Sequence, residues 1–183
     1  MTTANKFYNV LDEFGIDEAL GMGVNWYPDA WKYCLDVSKD YPITAQRVAA
    51  IIAVTSPRAR WSKNVEATYK IVEDSFKPEH KRRGSYGILG ANALKGMTVA
   101  NERYYSKHVT GPKVSNFYLN IVGHTEPVTV DSIMSYAAGY GSDVTQRIRT
   151  EIEHGVRVVA EMFNVTPRDA QAAIWIAYRG SAN

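Results

Sequence analysis

The sequence predicts an all-α protein. Apolar residues recur at helical spacing along most of the chain, and capping residues bracket those stretches. Candidate strands are too short and too few for a sheet. The pattern gives about nine or ten helices joined by short loops.

Residues 4–20 place Phe7, Val10, Leu11 and Phe14 at helical spacing, and Gly21-Met22-Gly23 reads as the turn closing that helix. Pro28 suits the first turn of a helix running to about Asp40, with Trp31, Cys34 and Leu35 on one stripe. Pro42 interrupts the chain and Thr44 can cap the next helix, Ala45 to about Thr55. That helix is nearly all apolar, so it is expected to be buried on most sides, and Pro57 ends it. A further helix from about Ser62 to Phe76 turns Val65, Thr68, Tyr69 and Val72 inward. Residues 77–97 read as a basic loop with one short helix near Ile88 to Leu94. Thr98 is the expected cap of a helix reaching about Lys107. Val109-Thr110-Gly111-Pro112 is a tight turn into a helix from Lys113 to about Val122. Gly123 to Pro127 is a loop, Val128-Thr129-Val130 is extended, and Asp131 caps Ser132 to Ala138. A longer helix spans about Val144 to Phe163. The last has the fullest signals: Thr166 as cap, Pro167 at its first position, Asp169 in its first turn and Gly180 after its end.

With 183 residues, 45% hydrophobic and 22% charged, the chain is expected to be one folded domain over 1–183. Cys34 is its only cysteine. That excludes an intrachain disulfide and a cysteine-bound iron–sulfur cluster, and fits a reducing, cytoplasmic compartment. No run of eighteen apolar residues occurs, so no membrane partner is expected, and Met1 to Val10 lacks a signal-peptide pattern. Net charge is only +2, but residues 58–113 carry twelve Lys/Arg against five Asp/Glu. A basic middle third is the footprint of a phosphate-bearing partner; a solvated charged face would look the same.

The phosphate-loop, dinucleotide and nucleophile-elbow motifs are absent, and the four histidines lack metal-site spacing. No cofactor or metal is expected. Two segments depart from the core pattern. Ser56-Pro57-Arg58-Ala59-Arg60-Trp61-Ser62-Lys63-Asn64 gathers cations, an amide and an indole between two helices. Arginine can pair with phosphate bidentately and tryptophan can stack on a base; the alternative is a polar connection with Trp61 tucked inward. The second runs from Gly111-Pro112-Lys113 through Ser115 and Asn116 to Val130-Asp131. Lys113 stands in a helix's first turn, where the dipole opposes a cation, so a depressed pKa and an outside reason for its presence are expected. Asp131 at a helix start is favoured as an anion, and a plain capping role would explain it as well.

Lys113 and Asp131 are eighteen residues apart, separated by a helix, a Gly/Pro loop and a short extended piece. Together they resemble the helix-hairpin-helix–Gly/Pro–Asp (HhH-GPD) superfamily of DNA glycosylases, in particular its endonuclease III-like members. Gly111-Pro112-Lys113 matches the second half of the hairpin, and Val130-Asp131 the catalytic aspartate segment. Asn116 and Asn120 fall where such sequences carry asparagines, and Arg58 matches a DNA-wedging position. The resemblance covers a core of about residues 43–140, with closing helices at 144–180. Val109 replaces the hairpin's first glycine, Lys107-His108 its Leu-Pro start, and Ser132-Ile133-Met134 the usual residues after the aspartate. The compact pattern is also similar to small phage-encoded relatives, which would place the protein in a host cytoplasm.

The resemblance implies a DNA base glycosylase with lyase activity, acting on a flipped base without an iron–sulfur cluster. Asp131 would stabilise the sugar cation and Lys113 would attack the anomeric carbon. Arg58, Arg60 and Trp61 would fill the gap or hold the opened strand, Lys63, Lys81, Arg82 and Arg83 would engage phosphate, and Asn64 is a further expected DNA contact. Gly111, Ser115 and Asn116 complete the expected DNA contacts. Two other readings stand beside it: a base-modifying transferase on the same scaffold, and a non-catalytic DNA- or protein-binding module. Target base and oligomeric state stay open.

Overall fold

The computed structural model describes residues 1–180, and within them the chain is all-helical, with no strand. Nine α-helices follow in order among the described residues: α1 (Thr3–Phe14), α2 (Ile16–Asp40), α3 (Ala45–Thr55), α4 (Trp61–Ser75), α5 (Gly90–Asn101), α6 (Pro112–Ile121), α7 (Ser132–Ala137), α8 (Gln146–Phe163) and α9 (Pro167–Arg179). Short 3-10 turns occupy Glu79–Lys81 and Tyr105–His108. None of these helices is long and apolar enough to cross a membrane.

The chain folds into two compact units. One is contiguous, residues 30–118; the other joins residues 1–29 to 119–180. The chain passes from one to the other inside α2 and again inside α6.

In the contiguous unit, α3 is the central element. Its Val48, Ala49, Ile51, Ile52, Ala53 and Val54 are all buried, and it packs on α4 and α5. Thr44 caps it by accepting the Arg47 N–H. Gly96 of α5 lies against Thr55, Ile51 and Ile71, where a Cβ would meet side-chain carbons at 2.8 and 2.9 Å. In the other unit, Phe7 and Leu11 of α1 are buried with Met134, Ile152, Val156, Val159, Ala170 and Ile174 of α7, α8 and α9. Thr2, Thr145 and Thr166 cap α1, α8 and α9 through their hydroxyls.

Several boundaries differ from expectation, each for a local reason. The helix expected over 4–20 divides at Gly15, whose φ of +106° breaks the α1 geometry while its N–H still bonds Leu11 O. Pro28 is interior to α2 rather than at a helix start. Its ring removes one N–H bond to Val24 O, but Val24 is 41% exposed and water can take that carbonyl. Gly21-Met22-Gly23 is therefore helical, not a closing turn. Thr98 is inside α5, where its hydroxyl bonds Leu94 O, and the helix expected over 98–107 is the end of α5 plus a 3-10 turn. Leu35 and Tyr69, expected inward, are 40% and 39% exposed.

Candidate functional site

The Asp131 segment is built from the last turn of α6 onward. The buried Asn120 side chain donates to His124 O (3.1 Å) and Pro127 O (2.8 Å), and its Oδ1 accepts the Thr129 hydroxyl at 2.9 Å. One amide thus fixes both the Gly/Pro loop and the extended piece after it. Val128 and Val130 alternate into the core, each 1% exposed, so the chain reaches α7 in a single register. Asp131 is half-buried in extended backbone. Its Oδ1 accepts the Met134 N–H at 3.0 Å and its Oδ2 accepts Trp175 Nε1–H at 3.3 Å. Both carboxylate oxygens are oriented by fixed donors, one at a helix start and one on α9.

Aromatic side chains continue outward from that indole. Trp26 is tilted 55° to Trp175 with ring centres 6.3 Å apart, and the Arg179 guanidinium lies 4.6 Å over the Trp175 ring. Tyr27 meets Trp26 edge-on at 4.7 Å and donates to Gln171 Oε1 at 2.8 Å. Burial pushes the Tyr27 hydroxyl well above its usual pKa, so it serves as a neutral donor. Sequence reasoning missed Trp26 and Arg179. Trp175 and Arg179 are four apart on one helix, a spacing that could have signalled the pair.

The α3–α4 loop belongs to the contiguous unit. Asn64 is 1% exposed and is not presented to solvent. Its Nδ2 donates to Ile52 O at 3.0 Å and its Oδ1 accepts the Thr55 hydroxyl, so the expected DNA contact is replaced by a structural role. Asn92, near the start of α5, donates to Pro57 O at 2.7 Å. Arg58 has a left-handed φ of +59° and is exposed, as is Arg60, the N-cap of α4. Among the described residues no hydrogen bond or ion pair reaches either guanidinium. Trp61 is half-buried, and Lys63 pairs with Glu66 at 2.9 Å.

The Lys81–Arg83 run divides. Arg83 is drawn inward: its Nη1 reaches Asp74 Oδ1 at 2.6 Å, its backbone N–H reaches Asp74 Oδ2 at 2.7 Å, and Nη2 pairs with Glu73. Lys77 (3.0 Å) and Tyr86 (3.1 Å) complete the shell around the buried Asp74 carboxylate. Burial opposes that charge, but the Arg83, Lys77 and Tyr86 donors outweigh it and hold Asp74 below the usual carboxylate pKa. Arg83 is thus spent on the fold rather than held ready for phosphate. Arg82 donates Nε to Lys77 O at 3.1 Å, and Lys81 is exposed.

At the start of α6, Gly111 has φ +84°, which fits a glycine before Pro112. Lys113 follows in the first turn, half-buried and in no ion pair among the described residues. Ser115 donates to Val109 O at 3.1 Å, and Asn116 is half-buried. Lys113 lies in the contiguous unit and Asp131 in the other.

Among the described residues, no group of three or more His, Cys, Asp or Glu side chains is placed to hold a metal ion. No curated protein and no solved structure matches the chain. One family model does, over residues 8–182. The chain belongs to DUF7178, a family of unknown function.

Proposed function

We propose that this protein binds duplex DNA and breaks the glycosidic bond of a nucleotide turned out of the helix. The reading rests on the resemblance of Gly111-Pro112-Lys113 and Val130-Asp131 to HhH-GPD glycosylases, and on one structural observation. That observation is the Asp131 carboxylate, half-buried at the start of α7 with each oxygen held by a fixed N–H donor. An anion positioned before any substrate arrives loses no reorganisation energy when a sugar cation forms beside it. In the lyase branch, the Lys113 amine attacks C1′ as the bond to the base breaks. The base leaves with a proton, and the sugar ring opens to an imine.

The test is borohydride trapping on duplex DNA containing an abasic site. A covalent adduct is expected from the natural chain and none from Lys113→Ala. Asp131→Asn is expected to lower adduct formation there, and base release from a second duplex with its bases intact, by at least about tenfold, since charge removal acts on the transition state. No adduct, no base release and no binding at low salt would overturn the proposal.

A non-catalytic binding module has one observation in its favour: both Asp131 oxygens already serve fold-building donors. On that reading, Asp131→Asn leaves DNA affinity unchanged and no adduct forms with any variant.

A further inference from the structure

We infer that the α3–α4 loop grips the sugar–phosphate backbone through Arg58 and Arg60, and that Arg83, held by Asp74 and Glu73, does not. The inference rests on the DNA reading above and specifies which part of the basic middle third carries it. Three observations point there.

The first is how the charge is distributed. Of the twelve Lys/Arg in residues 58–113, five are neutralised by ion pairs within the fold: Lys63, Lys70, Lys77, Arg83 and Lys107. The sequence's densest basic run therefore contributes less than its composition suggests, because Arg83 belongs to Asp74 and Glu73. Arg58 and Arg60 are two residues apart and exposed, and their guanidinium groups are reached by no hydrogen bond or ion pair among the described residues. No acidic side chain stands in the first turn of α4 or of α5, which Asn92 ties to this loop, and Glu66 is taken by Lys63 and Lys70.

The second is the rigidity of the loop that presents them. Asn92 holds Pro57 O, Ala59 N–H returns to Ser56 O at 3.1 Å, and Ser56 bonds Ala53 O at 2.9 Å. Beneath it, the buried Asn64 joins the end of α3 to the start of α4. A loop fixed on both sides keeps two guanidinium groups near one spacing, so little freedom is lost when they meet phosphates.

The third is residue choice. Arg58 and Asn164 are the two non-glycine residues with positive φ among the described residues. Asn164 follows α8 as a left-handed helix cap, a position asparagine tolerates. Arginine has no such tolerance, and glycine would fit the Arg58 backbone with less strain. A long cation kept at a strained position is accounted for by what its side chain reaches.

The experiment measures affinity of the full chain for a fluorescent duplex across a salt series by anisotropy. The slope of log affinity against log salt reports phosphate contacts, at about 0.9 per contact. Arg58→Gly combined with Arg60→Gln is expected to make that slope shallower by about 1.8. Arg58→Gly also relieves the backbone, so a melting temperature no lower than that of the natural chain shows that the loss is not unfolding. Lys107→Ala, which removes a cation already paired with Glu102, is expected to leave the slope as it was. An unchanged slope in the Arg58/Arg60 variant, with the natural chain still binding, overturns this inference alone. A loss confined to the Lys107 variant overturns it as well. Failure of the natural chain to bind duplex at low salt overturns the DNA reading and this inference with it.

Discussion

The Asn64 amide completes two helix ends at once, accepting from Thr55 and donating to Ile52 O in a site without solvent. Asn64→Leu is expected to destabilise the protein by about 1–3 kcal/mol, because Ile52 O loses its amide donor and the Thr55 hydroxyl one acceptor. A thermal melt checks this. Asp74 gives a pH prediction with a definite sign. Its folded pKa is depressed, so its contribution is present above the unfolded value near 3.9 and is lost as pH falls through the lower folded value. Asp74→Asn should flatten this acid limb in denaturant titrations at successive pH values. At neutral pH it should cost about 1–3 kcal/mol, the range for a buried hydrogen-bonding site left imperfectly satisfied. Cys34 is buried, and its thiol is pushed up to about 12, so a thiol reagent should label it only after denaturant unfolds the chain. The Asp131 cap was legible because Asp before a short helix has few other uses. The fates of Asn64 and Arg83 were not, since their partners lie in other turns and no local spacing reveals them.

Within one helix, two glycines predict opposite outcomes. A Cβ on Gly23 would stand 2.7 Å from the Ala173 N and Asp169 O backbone atoms of α9, which cannot swing aside. Gly23→Ala is expected to cost more than the roughly 1 kcal/mol that alanine gains in helix propensity. Gly21 has nothing within 4 Å, so Gly21→Ala should stabilise by up to about 1 kcal/mol. Melts of the two single variants should move in opposite directions. The same pair explains why the start of α2 was misread. Glycine two apart before a proline looks like punctuation, whereas one of these glycines is set by a neighbouring backbone and the proline lies on an exposed helix side. Elements whose starts are written in local side chains, α3, α7 and α9, were readable, with Thr44, Asp131 and Thr166 as caps. The start of α5 was not, because Leu89 precedes it and no side chain caps it.

Across the whole chain, the all-helical class followed from periodicity, while the division into units did not. The unit containing residues 30–118 is continuous in sequence, and the other is assembled from both sides of it. No composition shift marks a boundary that falls within a helix. That arrangement has a consequence for synthesis on the ribosome. Residues 30–118 emerge as one block and can begin to pack while the rest is still being made. The apolar face of α1, Phe7 and Leu11, has its partners on α7, α8 and α9, which leave the ribosome after that block. At about 5–20 residues per second, that face waits roughly 10–30 s for its cover. A chain cut after Val122 should protect the amides of α3 and α5 from hydrogen exchange while those of α1 exchange freely, and equal protection of all three would contradict this order. The nascent chain spends that interval with a hydrophobic helix in the open, which is the window in which a holding chaperone would find it.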